Sequence, residues 1–189
     1  MKTLFLKIST LVALSFLTFS ALATEDKGFY FGAGLEIVNV GAEDFFSNDV
    51  NFPVGQISVG YKHHSFLGLE LRAGGGLSEE VVAFDQNTDS GRPVSADASI
   101  TSFYSIYYRA ELANEIAKLY LLVGQTSVET ETNFDGDLIF SRSESGLSYG
   151  LGFGLWINED VNLNFEYKVF VDYGDGVFNS VGLNADYRF

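Results

Sequence analysis

Apolar and polar residues alternate along several stretches of the chain. From Gly146 to Ile157, every odd position carries a large apolar residue, and the even positions are mostly glycine or serine. A period of two puts alternate side chains on opposite faces of a β-strand, a pattern that a helix cannot use. The same alternation recurs at 29–37, 56–62, 67–74, 100–111, 161–171 and 181–189. A further strand is predicted at 118–130, where both faces begin apolar and the register stays open. The total is eight strands.

The connections between these strands differ in length in a regular way. Three are short, at 62–66, 112–117 and 158–160. Three are long and polar, at 39–52, 75–98 and 131–145, and 172–177 is intermediate. Outer-membrane barrels have this layout, with short turns in the periplasm and longer loops outside, and strands of about 9–11 residues. The sequence therefore predicts an eight-stranded antiparallel up-and-down transmembrane β-barrel.

The first residues are typical of an export signal. Lys2 and Lys7 precede a short apolar run, and small residues at Ala21 and Ala23 suit cleavage after Ala23. We therefore expect a signal peptide at 1–23 and a barrel domain at 24–189. A membrane anchor is the alternative, but the apolar run is short for one.

Composition narrows the class of protein. The formal net charge is −14, which argues against a nucleic-acid partner, because phosphate binding depends on lysine and arginine. There is no cysteine, so neither a disulfide nor a thiolate metal site is expected. A soluble lipocalin-like barrel would have the same alternation with its apolar face inward. The polar face here is rich in Gly, Ser, Asn and paired charges, which suits a narrow interior better than a soluble surface.

Aromatic residues also favour the membrane. They concentrate near the predicted periplasmic ends of the strands, where an interfacial girdle is expected. The predicted girdle comprises Phe29, Tyr61, Phe66, Tyr108, Tyr120, Tyr187 and Phe189.

The sequence resembles the small outer-membrane barrel family that includes the OmpA transmembrane domain, OmpX and the opacity-type proteins. Gly28–Leu35, Tyr149–Asp175 and Val181–Phe189 carry this resemblance. It implies an integral location in the bacterial outer membrane, among lipids and lipopolysaccharide. It also implies that Phe189, on an alternating strand, is read by the barrel-assembly machinery.

The presumed inner face carries charges that have two interpretations. They are Glu36, Lys62, Glu70, Arg72, Arg109, Glu166, Lys168 and Arg188. They could line a narrow ion path, or they could form a salt-bridge network that plugs the lumen. The second interpretation is favoured, because buried charges need partners and eight strands leave an interior that side chains just fill.

No catalytic, cofactor-binding or metal site is predicted. His63 and His64 lie together in a short turn, without the serine and acid that a hydrolytic triad needs. Asn133, Asp135, Asp137 and Glu144 have the spacing of calcium ligands in an EF-hand, but Leu138 stands where that loop requires glycine. Chance spacing in an acidic segment is the preferred explanation.

The long loops are the remaining place for function. Among their acids they contain Phe45, Phe46, Phe84, Phe134, Leu138, Ile139 and Phe140. We expect a structural or adhesion-type role through contact with an external partner. A narrow channel for ions or small solutes is the alternative, and a lipid-modifying enzyme is the less favoured one.

Overall fold

A computed structural model describes residues 28–40, 50–84, 94–134, 137–172 and 177–189 of the chain. The predicted signal peptide at 1–23 lies outside these residues. The strands are β1 (Gly28–Val40), β2 (Val50–His64), β3 (Leu67–Gly76), β4 (Glu80–Phe84), β5 (Val94–Ala113), β6 (Ala117–Phe134), β7 (Asp137–Trp156), β8 (Val161–Asp172) and β9 (Val177–Arg188). Within the described residues, no helix is long and apolar enough to cross a membrane.

The strands form one closed antiparallel sheet. Each of β1, β2, β5, β6, β7, β8 and β9 pairs with neighbours on both sides, and β1 pairs with β9. Both β3 and β4 pair with β5, so they are two parts of a single barrel strand that is interrupted at residues 77–79. The prediction of an eight-stranded antiparallel barrel is therefore confirmed.

The apolar face of the alternating strands points outward, away from the lumen. Phe29, Phe31 and Leu35 on β1 are exposed, whereas Tyr30 and Glu36 on the same strand are buried. Exposed large apolar residues continue around the other strands. A soluble barrel would bury this face, and only lipid covers such a belt favourably. The lipocalin-like alternative is therefore rejected.

The structure defines the register of strand β6, which the sequence left open. Leu119 and Leu121 face outward, whereas Lys118, Tyr120 and Leu122 are buried in the lumen. Tyr120 was therefore wrongly assigned to the aromatic girdle, because apolar residues on both faces hid the period of the strand. The other six predicted girdle residues are exposed: Phe29, Tyr61, Phe66, Tyr108, Tyr187 and Phe189.

Two predicted loops contain strands. Residues 131–145 belong mostly to the hairpin of β6 and β7, and the segment 75–98 includes β4 and the first residues of β5. In the hairpin of β6 and β7, outward positions such as Glu129, Glu131 and Ser143 are polar, so this extension lacks the apolar alternation of the membrane belt. We call the end of the barrel that carries these extensions the loop end, and the end with the turns β2–β3, β5–β6 and β7–β8 the turn end.

Candidate functional site

The inward face near the turn end carries a cluster of eleven charged side chains, the charged cluster. Its six basic members are nearly balanced by five acids, and all except the half-buried Arg188 are almost completely buried. The members are Glu36, Lys62, Glu70, Arg72, Arg109, Glu111, Lys118, Glu166, Lys168, Asp186 and Arg188. Even-numbered positions bring most of them inward, and a period of two does so on every strand.

A bidentate ion pair crosses the centre of the charged cluster. Arg72 on β3 donates through Nη1 to Glu166 Oε2 at 2.6 Å and through Nη2 to Oε1 at 2.8 Å. Three strands separate β3 from β8 in either direction round the sheet, so this pair spans the full diameter of the lumen. Arg72 Nε also donates to Glu70. Paired, multiply bonded charges of this kind are the form in which ions are tolerated in an interior.

A second ion pair crosses the lumen on a different diameter. Arg109 on β5 contacts Asp186 on the opposite strand β9, with Nη2 and Oδ2 3.3 Å apart. Its Nη1 donates to Glu70 Oε2 at 2.7 Å, and its guanidinium lies 3.8 Å from the centre of the Tyr120 ring. Lys118 Nζ donates to the same Asp186 carboxylate at 2.8 Å. Side chains from all sides thus meet at the barrel axis.

Tyr120 fills the middle of the charged cluster because glycine faces it. A Cβ atom at Gly152, on the neighbouring strand β7, would lie 2.2 Å from the Tyr120 ring. The Tyr120 hydroxyl donates to Glu166 Oε1 at 2.6 Å. The alternate glycines of β7 therefore make room for a large side chain from the adjacent wall.

Two further ion pairs lie at opposite ends of the charged cluster. Lys62 Nζ donates to Glu111 Oε1 at 2.6 Å, near the turn end. Lys168 Nζ donates to Glu36 Oε1 at 2.6 Å, toward the loop end. Beside this second pair, Tyr107, Thr126 and Ser148 form a layer of hydroxyl groups, with Tyr107 and Ser148 oxygens 2.6 Å apart.

The lumen changes character toward the loop end. There, fourteen buried apolar side chains from β1, β2, β4, β5, β6, β8 and β9 form the apolar cluster. Its members are Val38, Val40, Val50, Phe52, Val54, Val82, Ala96, Ala98, Ile100, Phe103, Val128, Phe170, Val171 and Phe178. The Phe103 and Phe170 rings meet edge to face, with centroids 4.9 Å apart. An ion that passed through this apolar layer would find no charge or hydroxyl among its fourteen members to replace its hydration shell.

The structure brings together all eight inner-face charges that the sequence singled out. It adds three members, Glu111, Lys118 and Asp186. Glu111 and Asp186 lay on the polar faces of their predicted strands, so the alternation could have found them. Lys118 could not be found in this way, because the register of its strand was open.

The two histidines belong to an aromatic group at the turn end. His63 Nε2 and the Tyr108 hydroxyl are 3.2 Å apart, and the His64 ring stacks on Phe66 with centroids 5.7 Å apart. Among the described residues, no three or more His, Asp, Glu or Cys side chains are grouped so that they could hold a metal ion. The contacts that the structure shows for His63 and His64 are therefore contacts with aromatic neighbours.

The described residues that have the spacing of calcium ligands do not lie together in one loop. Asn133 lies near the end of β6, whereas Glu144 lies on β7 opposite Val128. Asp137 also belongs to β7, and Asp135 lies outside the described residues. Two of the four residues are therefore held at separate levels of a long hairpin, which agrees with chance spacing.

A family model described as an outer membrane protein beta-barrel domain matches residues 9–189. This chain belongs to that family. The membership confirms the resemblance to small outer-membrane barrels and makes the protein an integral component of the bacterial outer membrane. No curated protein sequence matches the chain.

Several solved structures share the fold with this chain at low sequence identity. Ail, the attachment invasion locus protein of Yersinia pestis, in complex with the heparin analogue sucrose octasulfate, is 18% identical with a TM-score of 0.58, over 87% of this chain and 99% of Ail. Neisserial surface protein A is 14% identical with a TM-score of 0.62, over 86% and 97%. OprG from Pseudomonas aeruginosa is 13% identical with a TM-score of 0.59, over 89% and 99%. These likenesses describe the architecture.

Proposed function

We propose that the protein acts as a surface-interaction barrel, with the loop end outside the cell and a positively charged partner bound there. The observation that carries this is the placement of charge. The described residues of the loop end, 77–84, 94–99, 129–134, 137–145 and 172, contain eight acidic residues and one arginine, a net charge of −7. Most of the net charge of −9 that the described residues carry is therefore concentrated at one end.

The lumen supports a role at the surface rather than in conduction. Ion pairs cross the lumen on two diameters, and the apolar cluster covers them toward the loop end. A conducting path would need both layers to open. The rigid barrel is instead suited to presenting its outer strands and loops to a partner.

The negative charge of the loop end also indicates which kind of partner would bind there. Ail binds sucrose octasulfate, a polyanion, in its crystal structure. A polyanion would be repelled by the acidic loop end of this chain, whereas a cationic protein segment would be steered toward it. On β5 and β6, Asp97, Glu129 and Glu131 share the outward face of the extended sheet and lie in the part of the loop end that the structure describes.

The test measures binding of two probes to the purified protein in lipid nanodiscs. Oligolysine is expected to bind and to dissociate as salt is raised, and sucrose octasulfate is not. The variant D97N/E129Q/E131Q should weaken oligolysine binding on the order of tenfold. The control E115Q/E159Q/D160N removes three exposed acids at the turn end and should leave binding unchanged. Preference for the sulfated probe, or equal loss in both variants, would overturn the proposal.

The proposed contact with the barrel-assembly machinery rests on Phe189. Among the described residues, it is the most exposed of the large apolar side chains, and it continues the outward alternation of Val181, Leu183 and Tyr187. The substitution Phe189→Ser should lower the amount of folded protein in the outer membrane and leave the refolding yield in detergent unchanged. A fall in both quantities would point to a loss of fold instead.

A further inference from the structure

In the described part of the chain, the lipid-facing belt contains a broad, open recess on β1, β2, β3, β8 and β9. Most outward positions of the belt carry Leu, Ile, Val, Phe or Tyr, but in one patch small residues lie on both sides of Ile57. The recess has a volume of about 830 Å³. Its outward-facing small residues are Ala33, Gly55, Ala73, Gly75 and Ala185, and Leu35, Leu77, Leu163 and Leu183 are among the larger residues around them. A hydrocarbon chain placed there gains contact with several strands.

The barrel wall is incomplete at the loop-end side of this recess. Leu77 N–H donates to the Pro53 carbonyl at 2.8 Å, just beyond the last pair of β2 with β3, Val54 and Gly76. Farther toward the loop end, the described part of β2 pairs only with β1, and β4 pairs only with β5. Proline has no N–H to offer at this edge. Between β2 and β4, the backbone thus has a seam without hydrogen bonds within the described residues.

The surface chemistry changes in a definite order along this line. Toward the loop end, the apolar recess is followed by a polar level, where the unpaired backbone groups at the start of the seam and the exposed residues Ser78 and Glu79 lie together. Unpaired backbone groups near hydrocarbon are costly unless another polar group meets them. A membrane lipid presents the matching order, with a hydrocarbon chain, a polar ester or amide linkage, and a headgroup.

We propose that the recess and seam bind one lipid molecule of the outer leaflet. An acyl chain lies over Ala33 and Ala73, and the polar linkage of the lipid contacts the seam beside Pro53. This proposal rests on the orientation given under Proposed function, with the loop end outward. It requires neither the acidic surface nor a protein partner, so the two proposals can fail separately.

The shape of the recess argues against a second copy of the chain as its occupant. A two-fold dimer brings the same patch of both copies together. Two concave patches facing each other would leave a void, and an interface with a void loses packing contacts. A slender chain that fills the groove has the complementary shape, and the surrounding bilayer supplies such chains everywhere along the belt.

The test uses the full protein extracted from outer membranes in a mild detergent and examined by native mass spectrometry. We expect wild type to retain one lipid per barrel after detergent washing. The variant A33L/A73L fills the recess with outward side chains and should reduce lipid occupancy at least fivefold. The matched control A110L places leucine at an outward alanine on β5, beyond the recess, and should retain the lipid.

Two further measurements show what causes any loss of bound lipid. A shift in gel mobility on boiling in SDS establishes that each variant is folded, so that lost lipid reflects the recess. Oligolysine binding to the same samples should be equal in all three proteins, which separates this proposal from the proposed function. Equal lipid retention in wild type and A33L/A73L, loss in A110L as well, or a dimer that A33L/A73L abolishes would each overturn the lipid site.

Discussion

The two halves of the lumen hold the barrel together by different means. Near the turn end, Arg72 and Glu166 meet across the axis in a network of buried ion pairs. Near the loop end, Phe103, Phe170 and their neighbours pack as an apolar core. The first half depends on exact pairing, because a buried charge without its partner is very costly. The second half depends on volume, because apolar packing has no directional requirement. The lumen of a narrow barrel can therefore be filled either by paired charges or by apolar side chains, and this barrel has one kind of filling in each half.

The largest effect should follow from breaking the crossing ion pair. Arg72→Met leaves the Glu166 and Glu70 carboxylates without their main partner and should destabilise the barrel by about 3–5 kcal/mol. The double variant R72M/E166M removes both charges and should cost less than the single change. Urea unfolding in lipid vesicles, followed by fluorescence of the single tryptophan, Trp156, measures both. If the double variant lost as much as the sum of the two single variants, pairing would not be the source of stability.

A smaller effect is expected in the apolar half. Val54 is completely buried, and Val54→Ala removes two methyl groups from the apolar cluster, so the loss should be about 2 kcal/mol. The nearly isosteric Val54→Thr should cost a similar amount, for the different reason that its hydroxyl is buried without an assigned partner. Unfolding of both variants under the same conditions is the check. A tolerated threonine would mean that this half of the lumen is hydrated rather than packed.

The last comparison, which includes the smallest expected effect, is between two tyrosines of the same predicted girdle. Tyr120→Phe removes a hydroxyl that donates to buried Glu166 and should cost about 1–3 kcal/mol. Tyr108→Phe removes an exposed hydroxyl beside His63 and should change stability by less than about 0.5 kcal/mol. The unfolding midpoints in urea distinguish the two. Equal losses would contradict the inward placement of Tyr120.

The position of Tyr120 also marks the limit of sequence reasoning. On β1, β7 and β9, apolar and polar residues alternate so strictly that the inward and outward faces follow from the sequence alone. On β6, residues 119–123 are apolar on both faces, so only pairing with β5 and β7 decides which face is inside. The extended hairpin of β6 and β7 was missed for a related reason: its outward positions are mostly polar, so its sequence does not show the apolar alternation.

By itself, the sequence determined the number of membrane strands, their antiparallel order, most of the charged inward positions and the long polar connections. A period of two, turn lengths and the positions of charges are local properties, and they can be read along the chain. Only the tertiary structure decided which charges pair. Arg72 and Glu166 are 94 residues apart and meet because the sheet closes with β3 opposite β8. The division of the lumen and the lipid-facing recess arise in the same way, since each is assembled from side chains of many strands at one level of a closed barrel.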